Sequence, residues 1–260
     1  MINEVLQHFG LRLARITKDS AHSASLGQFS TAYEAAMLSL LSLRGKLKIV
    51  IVGANDGKIV DPAYNFINMY PDRTEALLVE PQKMLIPYLR QNYSFHQNAK
   101  IANVAIGSKG DMVLYSVKEE YHPICQNDAT KNWPSYAAPS GITSGDRGHV
   151  ERWLSRFLKN PTEISAAIEE TRVPAKPLRD VLVEVNFGAE IDVLQIDTEG
   201  FDDKVLYNSN IESYRPKIIF FEYENLSTDK KRKVIHFLDE FGYQYIAERI
   251  NVLAVRVGAC

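Results

Sequence analysis

The chain is short of the features that would place it in the simplest classes. It holds two cysteines, Cys125 and Cys260, in 260 residues. That is too few for a disulfide framework, and their spacing is not that of a metal site. Cys260 is the last residue rather than the fourth from the end, so no prenylation box is read there. No apolar run approaches about 18 residues, so no membrane span is expected. The first ten residues, MINEVLQHFG, lack the basic-then-apolar pattern of a signal peptide. An excess of one charge is missing too: the net charge is −2, which points neither to nucleic acid nor to an anionic membrane. These absences predict a protein of the reducing cytoplasm. What remains is an ordinary globular composition, 45% apolar and 24% charged, with length for one large domain or one domain plus appendages.

The chain is organised around residues 47–57, LKIVIVGANDG. An apolar, β-branched run without polar alternation reads as a parallel strand buried on both faces. It stops at Gly53, and Gly57 follows. Glycines let the chain turn tightly and approach a ligand with no Cβ in the way. Open α/β sheets bind ligands where their strands end, so this turn is the first place to seek a cofactor. Next, Pro62 can begin a helix with Tyr64, Phe66, Ile67 and Tyr70 on its apolar face. EALLVEP then reads as a second buried strand ending in Glu80, 23 residues after Gly57. Strand, glycine turn, helix and strand ending in an acid form the logic of a nucleoside-binding unit, in which the acid accepts from two ribose hydroxyls. The dinucleotide pattern G-x-G-x-x-G is nevertheless absent, because Ala54, Asn55 and Asp56 separate the two glycines, and no phosphate loop G-x-x-x-x-G-K-[ST] is present. Asp56 would repel a phosphate. A cofactor with a sulfonium and an amino group and no phosphate, S-adenosylmethionine, suits the turn better than NAD.

Elsewhere the pattern supplies the remaining layers. Residues 1–46 read as helical, with Val5, Leu6, Phe9, Leu13 and Ile16 on one face and TAYEAAMLSLLSL resuming after a polar stretch. They form either a cap near the first strand or an arm that pairs two copies into a homodimer; 47–260 is the cofactor-binding domain. KMLIPYLRQN is a helix. AKIANVAIG (99–107) reads as a third strand, with Asn103 and Ala105 where such folds bring a strand end near adenine, and GDMVLYSV (110–117) as a short strand off the sheet edge. Residues 119–150 are the least regular, and so long an irregular stretch suggests a lid or binding loop. As a region it is assigned to substrate recognition, with His122, Trp133, Tyr136 and Ser144 as candidates and His149 at its end. Asn160 caps a helix, and Leu178, Val181, Leu182 and Val185 keep helical spacing.

The second informative stretch is IDVLQIDTEGFDDKVL (191–206), a short buried strand followed by a helix. Asp197 falls at the strand's carboxyl end, where a carboxylate can align an acceptor hydroxyl, bind a metal or hold a cofactor's amino group. Asp202 and Asp203 read instead as acids favoured by a helix dipole. RPKIIFFEYENL is a fifth strand with Glu222 at its carboxyl edge. A helix ending near Gly242 follows, and its Lys230–Lys233 run reads as a solvated face. YQYIAERI and NVLAVRV close the chain as an antiparallel hairpin.

VGANDG, LVEPQ, NVAIG, IDVLQIDTEGFDDKVL and PKIIFFEYE together resemble the FkbM family of S-adenosylmethionine-dependent methyltransferases over roughly residues 47–257. The resemblance implies a class I methyltransferase α/β fold, a Rossmann-like sheet of seven mostly parallel strands with the last antiparallel, flanked by helices. It also implies methylation of a hydroxyl on a sugar, glycan or natural product. Carried over, Gly53, Asn55, Asp56 and Gly57 line the methionine part, Glu80 takes the ribose, Pro81 and Gln82 flank the nucleoside, and Asp197 faces the reaction centre. Thr198 stands where several members carry an aliphatic residue. Transfer to a hydroxyl is an in-line displacement that needs positioning and a base. Asp197 and His149 rank first as base, ahead of His122 and Glu222. A divalent ion such as Mg²⁺ on Asp197 and Glu222 fits oxygen donors, but no spacing demands it. Two other classes stay open: an NAD-dependent sugar-modifying enzyme, and a non-catalytic binding protein with this fold.

Overall fold

The computed structural model describes residues 31–126, 130–248 and 250–257. In chain order the elements are α1 (Ala32–Arg44), β1 (Leu47–Val52), α2 (Tyr64–Met69), β2 (Thr74–Val79), α3 (Ile86–Asn92), β3 (Ala99–Ala102), β4 (Ala105–Ile106), β5 (Gly110–Val117), α4 (Ala137–Ser140), α5 (Arg147–Leu154), α6 (Pro161–Ala166), β6 (Ile168–Lys176), α7 (Leu178–Glu184), β7 (Val193–Ile196), α8 (Asp202–Tyr207), α9 (Ile211–Tyr214), β8 (Ile218–Glu222), α10 (Thr228–Glu240), β9 (Tyr243–Glu248) and β10 (Asn251–Arg256). Seven strands form the main sheet in the order β3-β2-β1-β7-β8-β10-β9. The first five in that order run parallel, and β10 lies antiparallel to both β8 and β9. This is the mostly parallel seven-stranded sheet with an antiparallel last strand that the sequence predicts. The winding reverses between β1 and β7, which is where such a sheet opens a crevice at its carboxyl edge.

Continuous apolar strands follow from burial of both faces. Val50 and Val52 of β1 join Leu77, Val79, Leu194, Ile196, Ile219 and Phe221 in a core covered by α7, α8 and α10. Ile49 and Ile51 point the other way, into a core with Ala76, Leu78, Val193 and Phe220 under α1, α2 and α3. There Tyr33 of α1 stacks on Phe220 with ring centroids 4.1 Å apart. The helix expected from TAYEAAMLSLLSL therefore lies on the sheet itself. The helix expected around Val5 to Ile16, and Arg249 in the closing turn, lie outside the described residues.

Two strand expectations change. Residues 99–107 are not one strand: β3 ends at Ala102 in the main sheet, and β4 begins at Ala105 in a second sheet of order β4-β6-β5. The 110–117 strand pairs with β6, not with the edge of the main sheet. β6 escapes sequence reading because Glu169–Arg172 are all exposed, which hides the alternation, and because Pro174 argues against a central strand. Pro174 is tolerated because β4 pairs only at Ala175 and Lys176, so that flank of β6 is open beside the proline.

Candidate functional site

A cavity of about 300 Å³ lies over the carboxyl ends of β1, β2 and β7, with residues of the 119–150 insertion on its far side. Gly53 and Asn55 line it from the first turn. Gly53 sits at φ +80°, and a Cβ there would come 1.7 Å from the main-chain oxygen of Asp197. The glycine is thus what lets β1 and β7 end side by side. Gly57 and Asp56 do not line the cavity. Gly57 passes against Leu89 and Tyr93. The Asp56 carboxylate accepts from Lys58 N and Ile59 N at 2.9 Å each, closing the turn behind the cavity.

Glu80 is 2% exposed. Its Oε2 accepts from Asn55 N and its Oε1 from Gln82 N, each at 2.8 Å. Each carboxylate oxygen keeps a further lone pair for a ligand hydroxyl. Burial pushes this carboxyl up to about 7, against the two main-chain donors that hold it down. Pro81, Gln82 and Ala105 line the cavity beside it, but Asn103 does not. The Asn103 amide bridges the oxygens of Glu80 and Pro81, at 2.8 and 3.0 Å, and so braces the end of β2.

Beneath the first turn lies a pair the sequence reading missed. Gln195 in β7 donates to Asp61 Oδ1 at 3.1 Å, and Ala63 N donates to the same oxygen at 2.8 Å. Asp61 Oδ2 and Gln195 Oε1 are buried with no partner, and both residues line the cavity. Burial raises the Asp61 carboxyl to about 6. The one signal in the sequence is a glutamine inside the apolar strand IDVLQID; Asp61 carries no signal of its own.

The insertion is fastened over this floor by polar contacts. Thr143 Oγ1 donates to Gln82 Oε1 at 3.0 Å, Gln82 Nε2 to Ser140 O at 3.1 Å, and Ser144 Oγ to Glu199 O at 2.7 Å. Trp133, Ser144, Trp153 and Phe201 line the cavity. Tyr136 lies outside, its hydroxyl 3.3 Å from Asp56 Oδ2 and its ring stacked on Tyr88. His122 is buried away from the cavity, with Nε2 3.0 Å from Val117 O, and anchors the 3₁₀ turn Glu119–Cys125 to β5.

At the far end of β7 the side chain of Asp197 opens onto the cavity. Glu199 lines it too, from a residue at φ +52°. Glu222, at the end of β8, does not line the cavity but stands close behind: oxygens of Asp197, Glu199 and Glu222 all lie within 4.8 Å of one another. Burial first, and then the neighbouring carboxylates, raise all three carboxyls. Asp202, read from the sequence as an acid favoured by the helix dipole, does begin that helix but is fully buried, and its carboxyl is raised by burial and by the same three neighbours. His149 reaches the cavity only through Glu199. Its Nε2 lies 3.1 Å from Glu199 Oε2, out of line for a hydrogen bond, and burial lowers its pKa, which favours the neutral ring.

The sequence profile described as the methyltransferase FkbM domain matches residues 52–245, most of the chain. No curated protein matches. Among solved structures the chain is similar to the O-methyltransferase TomG from Streptomyces achromogenes, at 10% identity and TM-score 0.44, covering 98% of this chain and 97% of that one. It is similar also to precorrin-6y C5,15-methyltransferase from Geobacter metallireducens, at 11% identity and TM-score 0.38, covering 93% and 96%. A third is the fibrillarin pre-rRNA processing protein of Methanococcus jannaschii, at 11% identity and TM-score 0.41, covering 82% and 68%.

Proposed function

This chain belongs to the methyltransferase FkbM family, and we propose that it transfers a methyl group from S-adenosylmethionine to a hydroxyl of a sugar, glycan or natural-product acceptor. The observation that carries the cofactor assignment is the pair of orphaned acceptors, Asp61 Oδ2 and Gln195 Oε1, in the same cavity as Glu80. A buried carboxylate and amide oxygen without donors match an ammonium group, which offers three N–H donors and a positive charge. Glu80, with a free lone pair on each oxygen, matches two neighbouring ribose hydroxyls. Among the described residues no lysine or arginine lines the cavity, which leaves a dinucleotide's phosphates without a cation.

When bound, the cofactor supplies an electrophilic methyl group on a sulfonium. In this reading Asp197 turns the acceptor hydroxyl in line with that group, and positioning is the main catalytic contribution. Asp197 and the Glu199–His149 pair take up the hydroxyl proton; His149, neutral by burial, has a free nitrogen to receive it through Glu199. Trp133, Trp153 and Phe201 offer flat apolar faces to the C–H face of a sugar or to an apolar natural product.

The test is calorimetric titration of the purified protein with S-adenosylhomocysteine, with NAD in parallel. Binding of S-adenosylhomocysteine and not NAD is expected, and it would justify a screen of sugar and glycan acceptors for methyl incorporation. Binding of NAD alone, or of neither, would overturn the reading.

A further inference from the structure

Asp197, Glu199 and Glu222 come from three places, the end of β7, the turn behind it and the end of β8, yet their oxygens converge within 4.8 Å. Among the described residues no lysine or arginine forms an ion pair with any of them. The donor that does reach the group is a neutral amide: Asn225 Nδ2 lies 3.0 Å from Glu222 Oε2 and 3.4 Å from Glu199 Oε2. Three carboxylates so placed repel when all are ionised, and either protons or a bound cation relieves that repulsion. Two further observations come from outside the trio. His149 is 7% exposed, and its Nε2, without a hydrogen bond, is turned to Glu199 Oε2 at 3.1 Å. Asp202 is 0% exposed; Gly200 N occupies its Oδ2 at 3.2 Å, and its Oδ1 has no partner. Both the Asp202 oxygen and the imidazole nitrogen beside Glu199 are thus buried without a hydrogen-bond partner. The trio's direct contacts are therefore a neutral amide and an imidazole whose burial favours its neutral form, and a bound cation would balance the carboxylate charge.

We propose that Asp197, Glu199 and Glu222 hold one divalent cation of the hard, oxygen-preferring class, Mg²⁺ or Mn²⁺, with its remaining coordination positions open to the cavity. The spacing allows such an ion: oxygens about 2.1 Å from it lie about 3 Å apart at right angles and about 4.2 Å apart across it, inside the 4.8 Å that spans all three. Asn225 holds the two glutamates in orientation, as partners behind ligating carboxylates do. Since Asp197 and Glu199 line the cavity, the open positions face the space where an acceptor oxygen would sit; that role for the ion, unlike its binding, rests on the methyl-transfer reading.

Binding is read without any turnover, by titrating chelator-treated protein with Mn²⁺ and following the electron paramagnetic resonance signal of the free ion. One Mn²⁺ per chain, displaced by excess Mg²⁺, is expected. Glu222→Gln and Asp197→Asn should each weaken binding by about tenfold or more, while Glu224→Gln, which alters an exposed acid outside the trio, should not. No binding up to millimolar Mn²⁺, or binding that survives both trio substitutions, would overturn the site. Circular dichroism melts of each variant establish that it is folded, and S-adenosylhomocysteine titrations on the same samples separate the two readings. Mn²⁺ without the nucleoside leaves the ion site standing and removes the cofactor assignment; the nucleoside without Mn²⁺ does the reverse.

Discussion

Glu80 and Asp197 are both acids at strand ends, and their surroundings divide their work. Two main-chain N–H groups hold the Glu80 carboxylate in one orientation, as a fixed recognition group requires. Asp197 has no such clamp among the described residues and opens onto the cavity beside two more carboxylates. Asp197→Ala should therefore lower turnover at saturating cofactor by about 10²–10⁴-fold while S-adenosylhomocysteine still binds. Glu80→Ala should instead weaken S-adenosylhomocysteine binding by roughly 10–100-fold, the worth of hydrogen bonds to a charged group. Steady-state kinetics alongside calorimetry decide the matter: equal binding losses in both variants, with turnover at saturation intact, would remove this division. At this scale the sequence was only partly legible. A strand's last residue is a local property, so Glu80 and Asp197 stand out. Asn103, His122 and Tyr136 carry the right chemistry, but their hydrogen bonds are spent bracing main chain and turn.

At the scale of elements, the site depends on how closely β1 and β7 end. Gly53 makes that approach, at a φ that L side chains avoid and with Asp197 O where a Cβ would stand. Gly53→Ala combines the left-handed backbone penalty with an overlap against main chain that cannot rotate away. A loss of about 3 kcal/mol or more in unfolding free energy is expected from the two together. Urea unfolding of the ligand-free protein measures it. An unchanged midpoint would mean that the two strand ends are not held in this contact. The glycine's presence was legible as a turn, but its necessity was not. The turn needs a small residue because of a strand that arrives in the chain more than a hundred residues later.

For the whole molecule, buried acids make stability a function of pH. The carboxyls of Asp61 and Glu80 are raised by burial from their ordinary values of 3.8 and 4.5 to about 6 and about 7. Between the unfolded and folded values the native state binds more protons than the unfolded chain, so unfolding free energy falls as pH rises. Their contribution is full below about pH 4 and is lost by the time pH has risen through about 7. Relative to Glu80→Gln, the ligand-free wild-type protein should thus lose thermal stability from pH 4.5 to 7 and change little above; a difference in Tm that stays flat or grows over that window would contradict the burial of this acid. The sequence by itself determined the parallel sheet, its antiparallel close, the glycine turn and the acids at the strand ends. Each is written in a short run of consecutive residues: an unbroken apolar strand needs cover on both faces, and whatever ends it lies at the sheet's edge. Only the tertiary structure decided that Asp61 meets Gln195, that β6 completes a second sheet, and that Asp197, Glu199 and Glu222 share one point. Those meetings depend on the register of strands far apart in the chain, and side-chain convergence across a sheet leaves no periodicity in the sequence.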